Sequence, residues 1–182
     1  MDALRTLFRI LNKYFMVPAF KSGFGPFMGN PFSGYIMVLK TVGHKSGLTR
    51  YAPVNYAIHD GSIYCLSGMG KIAHWYKNLS ANSQIEVILP SGTVSGEAFT
   101  ITDADERLNM MRQILKNSGF ASFMAGINAF TISDEGLLEK GEEMVVIRIE
   151  PNGIFASAVD PGGKLWLWLT IAFIVVLVFL LI

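Results

Sequence analysis

The sequence predicts an α+β protein, mainly β: a small antiparallel barrel with peripheral helices, followed by a C-terminal transmembrane helix. Three observations carry this. Short segments of strand character are separated by tight turns rich in Gly, Pro and Asp, a pattern of small closed sheets. Two internal segments show helical rather than alternating apolar spacing. The last stretch, residues 165–182, carries no charge and one polar side chain, Thr170.

Taken in chain order, residues 1–20 predict a basic amphipathic helix. Leu4, Leu7, Phe8, Leu11 and Phe15 recur at spacings of three and four, with Arg5, Arg9 and Lys13 on another face. Such a helix suits an anionic membrane surface or the flank of its own domain, and Pro18 is expected to end it. The charges interrupt any secretory apolar core. Residues 21–34, rich in Gly, Pro and Phe, read as a loop.

A barrel domain is expected over residues 35–160. Its strands are placed at Tyr35–Thr41, Tyr51–Ile58, Ser62–Ser67, Gln84–Leu89, Thr93–Ile101 and Met144–Glu150, with an extra one at Ile154–Ala158. Asp60-Gly61 is a hairpin turn signal. Helices are expected at Ile72–Asn82 and Asp103–Asn117, the second capped by Thr102 and ended by Gly119. Residues 161–182 complete the prediction as a membrane anchor. Eighteen apolar residues at about 1.5 Å each approach the roughly 30 Å of a hydrocarbon core. Trp166 and Trp168 suit the headgroup level, and Lys164 on the domain side places the domain in the cytoplasm.

Composition removes several function classes. The chain has 182 residues, is 51% hydrophobic and 16% charged, and has a formal net charge of +1, which is no basis for nucleic-acid binding. One cysteine, Cys65, excludes an internal disulfide and a Cys-rich metal site. The histidines lack ligand spacing, so no metal is expected. No GxSxG elbow points to hydrolysis.

Two stretches carry chemistry. In Gly43-His44-Lys45-Ser46-Gly47-Leu48-Thr49-Arg50, a glycine-flanked turn joins two cations, Lys45 and Arg50, to the Ser46 hydroxyl. Backbone N–H groups, a short hydroxyl donor and full positive charges are what a phosphate needs, although a basic hairpin loop is commonly just solvated. From Ser67 to Leu79, a Gly-rich turn leads into a helix whose N-terminus can face an anion or a ring carbonyl. There Trp75 either walls an aromatic cofactor or anchors the helix, and Asn78 is expected to satisfy nearby backbone.

Together, VLKTVGHKSGLTRYAPVNYAIHDGSIYCLSG and HWYKNLSAN resemble the deazaflavin (F420)-dependent nitroreductase and quinone reductase family, over roughly residues 34–118 and more weakly to 150. The resemblance rests on G-x-K-S-G-x-x-R combined with W-x-x-N-L. It implies a split β-barrel of the FMN-binding type. It also implies that Lys45, Ser46 and Arg50 hold the phosphate-bearing tail of the cofactor. Pro53, Cys65, Ser67, Gly68 and Trp75 then lie about its ring, and His74 in the adjoining pocket position is the candidate proton donor. Where some members carry tyrosines toward the acceptor, this chain has Phe120, Phe123 and Phe130, an apolar lid for a lipophilic substrate or a core segment. His44 replaces the loop's usual arginine.

The function expected from this resemblance is hydride transfer from reduced F420 to a quinone, nitro compound or activated alkene at the membrane. Two alternatives stand beside it: an FMN-dependent split-barrel oxidoreductase, and a non-catalytic membrane-tethered module binding a flavin or lipid.

Overall fold

The computed structural model describes residues 10–152 and 165–181. Six antiparallel strands close into a barrel in the order β1-β2-β3-β6-β5-β4. They are β1 (Ile36–Val42), β2 (Thr49–His59), β3 (Ser62–Ser67), β4 (Gln84–Leu89), β5 (Gly92–Thr100) and β6 (Val145–Pro151). Each lies within two residues of its expected bounds. The seventh expected strand, 154–158, is outside the described residues.

The barrel closes where β1 meets β4, with Val38 opposite Ile88 and Lys40 opposite Glu86. Lys40 Nζ pairs with Glu86 Oε2 at 2.8 Å across this seam. Alternation sends Met37, Leu39, Tyr56, Ile63, Cys65, Ile85, Val87, Ile147 and Ile149 into one interior cluster. Gly96 sits where β5 crosses β6, and a Cβ there would come within 2.6 Å of the Glu150 carbonyl oxygen.

Two strands are buried on both faces because helices cover their outsides. After a π-helical turn at Asn12–Met16, α1 (Val17–Lys21) lays Met16 and Phe20 on Val38. A helix this short is not stable alone, and burying those two side chains is worth roughly 1.5–3 kcal/mol each. The helix does not stop at Pro18. The Val17 N–H bonds back to the Asn12 carbonyl across a π turn, and this shifted register accommodates the missing proline donor. The packed face also differs from the expected one, since Leu11 and Phe15 are exposed while Met16 and Phe20 are buried. Residues 1–9, which hold the remainder of that face, are outside the described residues.

The segment expected as a plain loop is tied down. It contains α2 (Gly25–Met28) and a bridge between Asn30 and Gly34. The Phe120 N–H donates to the Phe32 carbonyl at 2.8 Å, and Tyr35 N–H to the Asn117 carbonyl at 2.8 Å. Gly119, at φ +53°, permits this crossing, because a Cβ there would strike the Phe32 carbonyl.

A 3-10 turn (Gly70–Ile72) leads into α3 (His74–Ala81), which packs Trp75, Tyr76 and Leu79 on the barrel interior. The longest barrel helix, α4 (Ala104–Lys116), covers β2, β3 and β6 through Met110, Met111, Ile114 and Leu115. Its cap is Asp103, whose carboxylate accepts the Glu106 N–H at 2.8 Å, and not Thr102. Two short helices, α5 (Phe120–Met124) and α6 (Asp134–Lys140), were not expected. Under α4, the Tyr64 hydroxyl donates to Glu106 Oε1 and Arg148 Nη1 donates to the same oxygen, both at 3.0 Å.

The transmembrane expectation is overturned. The C-terminal helix α7 runs Leu165–Leu181, and among the described residues no helix is long and apolar enough to cross a membrane. Its 17 residues reach about 25 Å at roughly 1.5 Å each, about one turn short of a roughly 30 Å core. The anchor over 161–182, the membrane-held cytoplasmic placement and lipid binding through either terminal helix therefore lose their structural support. Lys164 and the Trp166 side chain lie outside the described residues.

Burial pushes the Cys65 thiol far above its ordinary 9.0. Burial, reinforced by the hydrogen bond to Glu106, raises Tyr64 above 10.0. Native protein thus keeps protons that the unfolded chain has lost, so this stability is complete below pH 9 and declines as pH rises. The urea midpoint should hold steady up to about pH 9 and fall from there to about pH 11. That fall should be shallower in Cys65→Ala and in Tyr64→Phe, and equal slopes in all three proteins would contradict the assignment.

Candidate functional site: a basic cleft at one end of the barrel

Because neighbouring strands are antiparallel, the β1–β2 loop and the turn after β3 emerge at the same end of the barrel. Between them lies a cleft of about 580 Å³, lined by the loop (Gly43, His44, Lys45, Ser46), the start of β2 (Arg50, Tyr51, Ala52) and the first turn of α3 (His74, Trp75, Asn78).

The loop folds on its own backbone. Gly43 N–H donates to the Leu48 carbonyl, while the Ser46 and Gly47 N–H groups return to the Gly43 carbonyl at 3.1 and 2.8 Å. Gly47 takes φ +66°, which the turn requires. Arg50 Nη2 approaches Ser46 Oγ at 3.4 Å, setting the guanidinium beside the hydroxyl.

Asn78 joins the loop to the helix. It is 5% exposed, and its Oδ1 accepts the His44 N–H at 3.0 Å. His44 Nδ1 lies 2.8 Å from the same oxygen, and Asn78 Nδ2 donates to Thr41 Oγ1 at 3.1 Å. The residue expected to satisfy nearby backbone does so, and in doing so ties the loop to the helix. Its place one turn after Trp75 was the available signal. Tyr51 went unnoticed in the sequence, where it reads as one more strand aromatic.

The charge of the cleft has one sign. Lys45 and Arg50 are exposed, no carboxylate lines the cleft, and neither cation has a carboxylate partner among the described residues. The first turn of α3 has no side-chain cap and no acidic residue. Its free N–H groups and the positive end of the helix dipole add to the cations. This donor set fits a phosphate-bearing group.

Of the expected site residues, Lys45, Ser46, Arg50, His74 and Trp75 line this cleft. Pro53, Cys65, Ser67 and Gly68 do not. Pro53 pairs with Val38 on the sheet's outer face, and Cys65 is fully buried in the interior. Ser67 Oγ donates to the Gly70 carbonyl at 2.7 Å and so braces the Gly-rich turn, while Gly68 is exposed within it.

A second cleft of about 660 Å³ is lined in part by that turn. Met69, Ile72, Leu138 and Met144 form its apolar lining, with Lys71, Glu142 and Glu143 also around it. Gly70, at φ +58°, brings its two walls together, because a Cβ would strike the Glu143 carbonyl. Arg107 Nη2 holds the far wall by donating to the Gly141 and Met144 carbonyls at 2.6 and 3.2 Å. Phe120, Phe123 and Phe130 line neither cleft. They are exposed, Phe120 stacked on Phe32 at 6.0 Å and Phe130 under Lys116 at 5.9 Å. Among the described residues no cluster suits a metal ion.

A family model described as F420H(2)-dependent quinone reductase matches residues 16–129. Among solved structures, the conserved hypothetical protein Rv2991 from Mycobacterium tuberculosis aligns with a TM-score of 0.47 at 16% identity, over 73% of this chain and 81% of its own. An F420-H2 dependent reductase, FDR-A, aligns at 0.41 and 19%, over 64% and 94%. The heme storage protein HutZ from Vibrio cholerae aligns at 0.45 and 13%, over 76% and 89%. These likenesses are distant, and none of them assigns a ligand to this chain.

Removing the Asn78 amide leaves the His44 N–H and the Thr41 hydroxyl without their partner. Asn78→Ala should lower unfolding free energy by about 1–3 kcal/mol in urea titration. It should also speed amide exchange at His44, and unaltered exchange there would show that the loop is held by other contacts.

Proposed function

The chain belongs to the F420H(2)-dependent quinone reductase family, and is by that membership an F420-dependent oxidoreductase; from this premise we propose that the basic cleft seats the cofactor and that the acceptor is a quinone or another apolar compound with a polarised double bond, such as a nitroarene or activated alkene. The observation that carries the reading is the pairing of Lys45 and Arg50 with the uncapped first turn of α3, in a cleft without carboxylates.

When bound, reduced F420 supplies a hydride. The chain's own part is placement. Lys45, the Ser46 hydroxyl and Arg50 would hold the phosphate-bearing tail, since full charges attract it and short donors fix its orientation. Trp75, half-buried on α3, offers an apolar face at the other side of the cleft. We assign His74 to anion contact instead of proton delivery, because it lines the cleft that holds the cations and not the second cleft.

Met69, Ile72 and Leu138 in the second cleft keep 49%, 66% and 40% of their surface exposed. They offer an apolar surface on which the hydrocarbon part of an acceptor would rest while its reacting group meets the cofactor. The basic loop would also suit the phosphate of FMN. The two cofactors separate by salt dependence, because the longer acidic tail of F420 meets more positive charge.

Full-length protein titrated with F420 and with FMN, at two salt concentrations, tests the cofactor. F420 should bind more tightly and with the steeper salt dependence, and Lys45→Ala/Arg50→Ala should weaken it about a hundredfold. Undiminished affinity in that folded double variant removes the loop from the site. Leu138→Asp should raise the KM for a short-chain quinone about tenfold while F420 affinity is unchanged; an unchanged KM moves the acceptor elsewhere, with Phe120→Asp as the next variant.

A further inference from the structure

Hydride addition to a quinone leaves negative charge on an oxygen, and a cation or proton donor beside that oxygen stabilises it. The second cleft holds few groups able to do so. Glu142 and Glu143 line it, but carboxylates repel an oxyanion. Arg107 lines it with Nη2 already committed to the Gly141 and Met144 carbonyls at 2.6 and 3.2 Å, and a guanidinium does not release its proton. Lys71 remains. It is exposed, it lines the cleft, and it has no carboxylate partner among the described residues, although two glutamates line the same cleft.

The backbone that presents Lys71 is fixed. It is the middle residue of the Gly70–Ile72 turn. Gly70 is buried against the Glu143 carbonyl, and its own carbonyl accepts Ser67 Oγ–H at 2.7 Å. Met69 and Ile72 nearby are apolar, so the ammonium stands over surface where its field is screened less than in open water. Three residues on, His74 lines the basic cleft, so one short stretch of chain borders both clefts. We propose that Lys71 is a catalytic residue, whose ammonium stabilises the oxyanion formed on the acceptor and donates the proton that completes its reduction. This rests on the reading of the chain as an F420-dependent reductase whose acceptor rests in the second cleft. The hydride carries two electrons, so a quinone becomes its hydroquinone monoanion as the deazaflavin is oxidised. A Lys71 Nζ–H bond then breaks as the second O–H bond forms. The neutral hydroquinone leaves, and the amine takes a proton back from water.

The experiment compares full-length wild type, Lys71→Met and Lys71→Arg, with para-nitrophenol as the probe. It is a nitroarene with one ionisable oxygen, and its absorbance reports the charge on that oxygen. Bound to wild type without F420, it should ionise about one pH unit lower than when bound to Lys71→Met. Lys71→Arg should keep the wild-type value. With F420 and a short-chain quinone, Lys71→Arg retains the charge but gives up no proton, and should lower kcat about a hundredfold at unchanged F420 affinity. Equal ionisation of the probe in wild type and Lys71→Met, or undiminished kcat in Lys71→Arg, overturns the proposal and leaves the cofactor reading standing. Nitrophenol that does not bind, or that binds equally well to Leu138→Asp, overturns the second cleft as the place of the acceptor and this proposal with it. Absence of F420 binding by wild type overturns the cofactor reading and the hydride step that Lys71 would complete.

Discussion

Closure of the barrel between β1 and β4 is the constraint from which the clefts follow. With Val38 set opposite Ile88 and Lys40 opposite Glu86, the sheet keeps no free edge, and every strand end is committed to one rim or the other. The β1–β2 loop and the turn after β3 then share a rim. A cation on the first and a helix N-terminus on the second can face one another only because the strands beneath them are locked in register. The Asn78 amide completes the arrangement by bonding the loop backbone from the helix side.

Burial on both faces of β1 and β3 explains why the helices matter to the site. Inward residues of these strands fill the interior cluster, while Val38 and Tyr64 face outward under α1 and α4. The N-terminal helix therefore has a structural duty, covering the outside of β1, and that duty sets its last lysine over the Tyr51 ring. Packing and electrostatics are served by adjacent residues, Phe20 buried and Lys21 exposed.

The two clefts differ in charge, one carrying cations alone and the other charges of both signs around an apolar floor. Cations and uncapped N–H groups line one, and thioethers and aliphatic side chains floor the other. The Gly-rich turn lines the second of them, and α3, which follows it in the chain, lines the first. Gly70 can occupy that turn because no side chain fits against the Glu143 carbonyl, and Ser67 braces the turn from within the barrel. An oxidoreductase needs such a division, with one region gripping a charged carrier and another admitting an apolar partner.

Local pattern alone determined much of this protein. Alternation and turn residues placed all six described strands, and the glycine-bounded run with Lys45, Ser46 and Arg50 singled out the loop that lines a cleft, because these signals lie within a few residues of one another. The same local reading overreached at both ends. It took the uncharged tail as a membrane span, where α7 is a turn too short, and it ended the first helix at Pro18, where a π turn carries it on. Only the tertiary structure decided that Tyr51 and Asn78 line the basic cleft, that Leu138 joins Ile72 in a second one, and that Pro53 and Cys65 lie outside both. Those outcomes depend on which face of a strand turns inward and which distant segments share a rim. Both are set by barrel closure, which joins residues some fifty positions apart and leaves no mark on the sequence around any one of them.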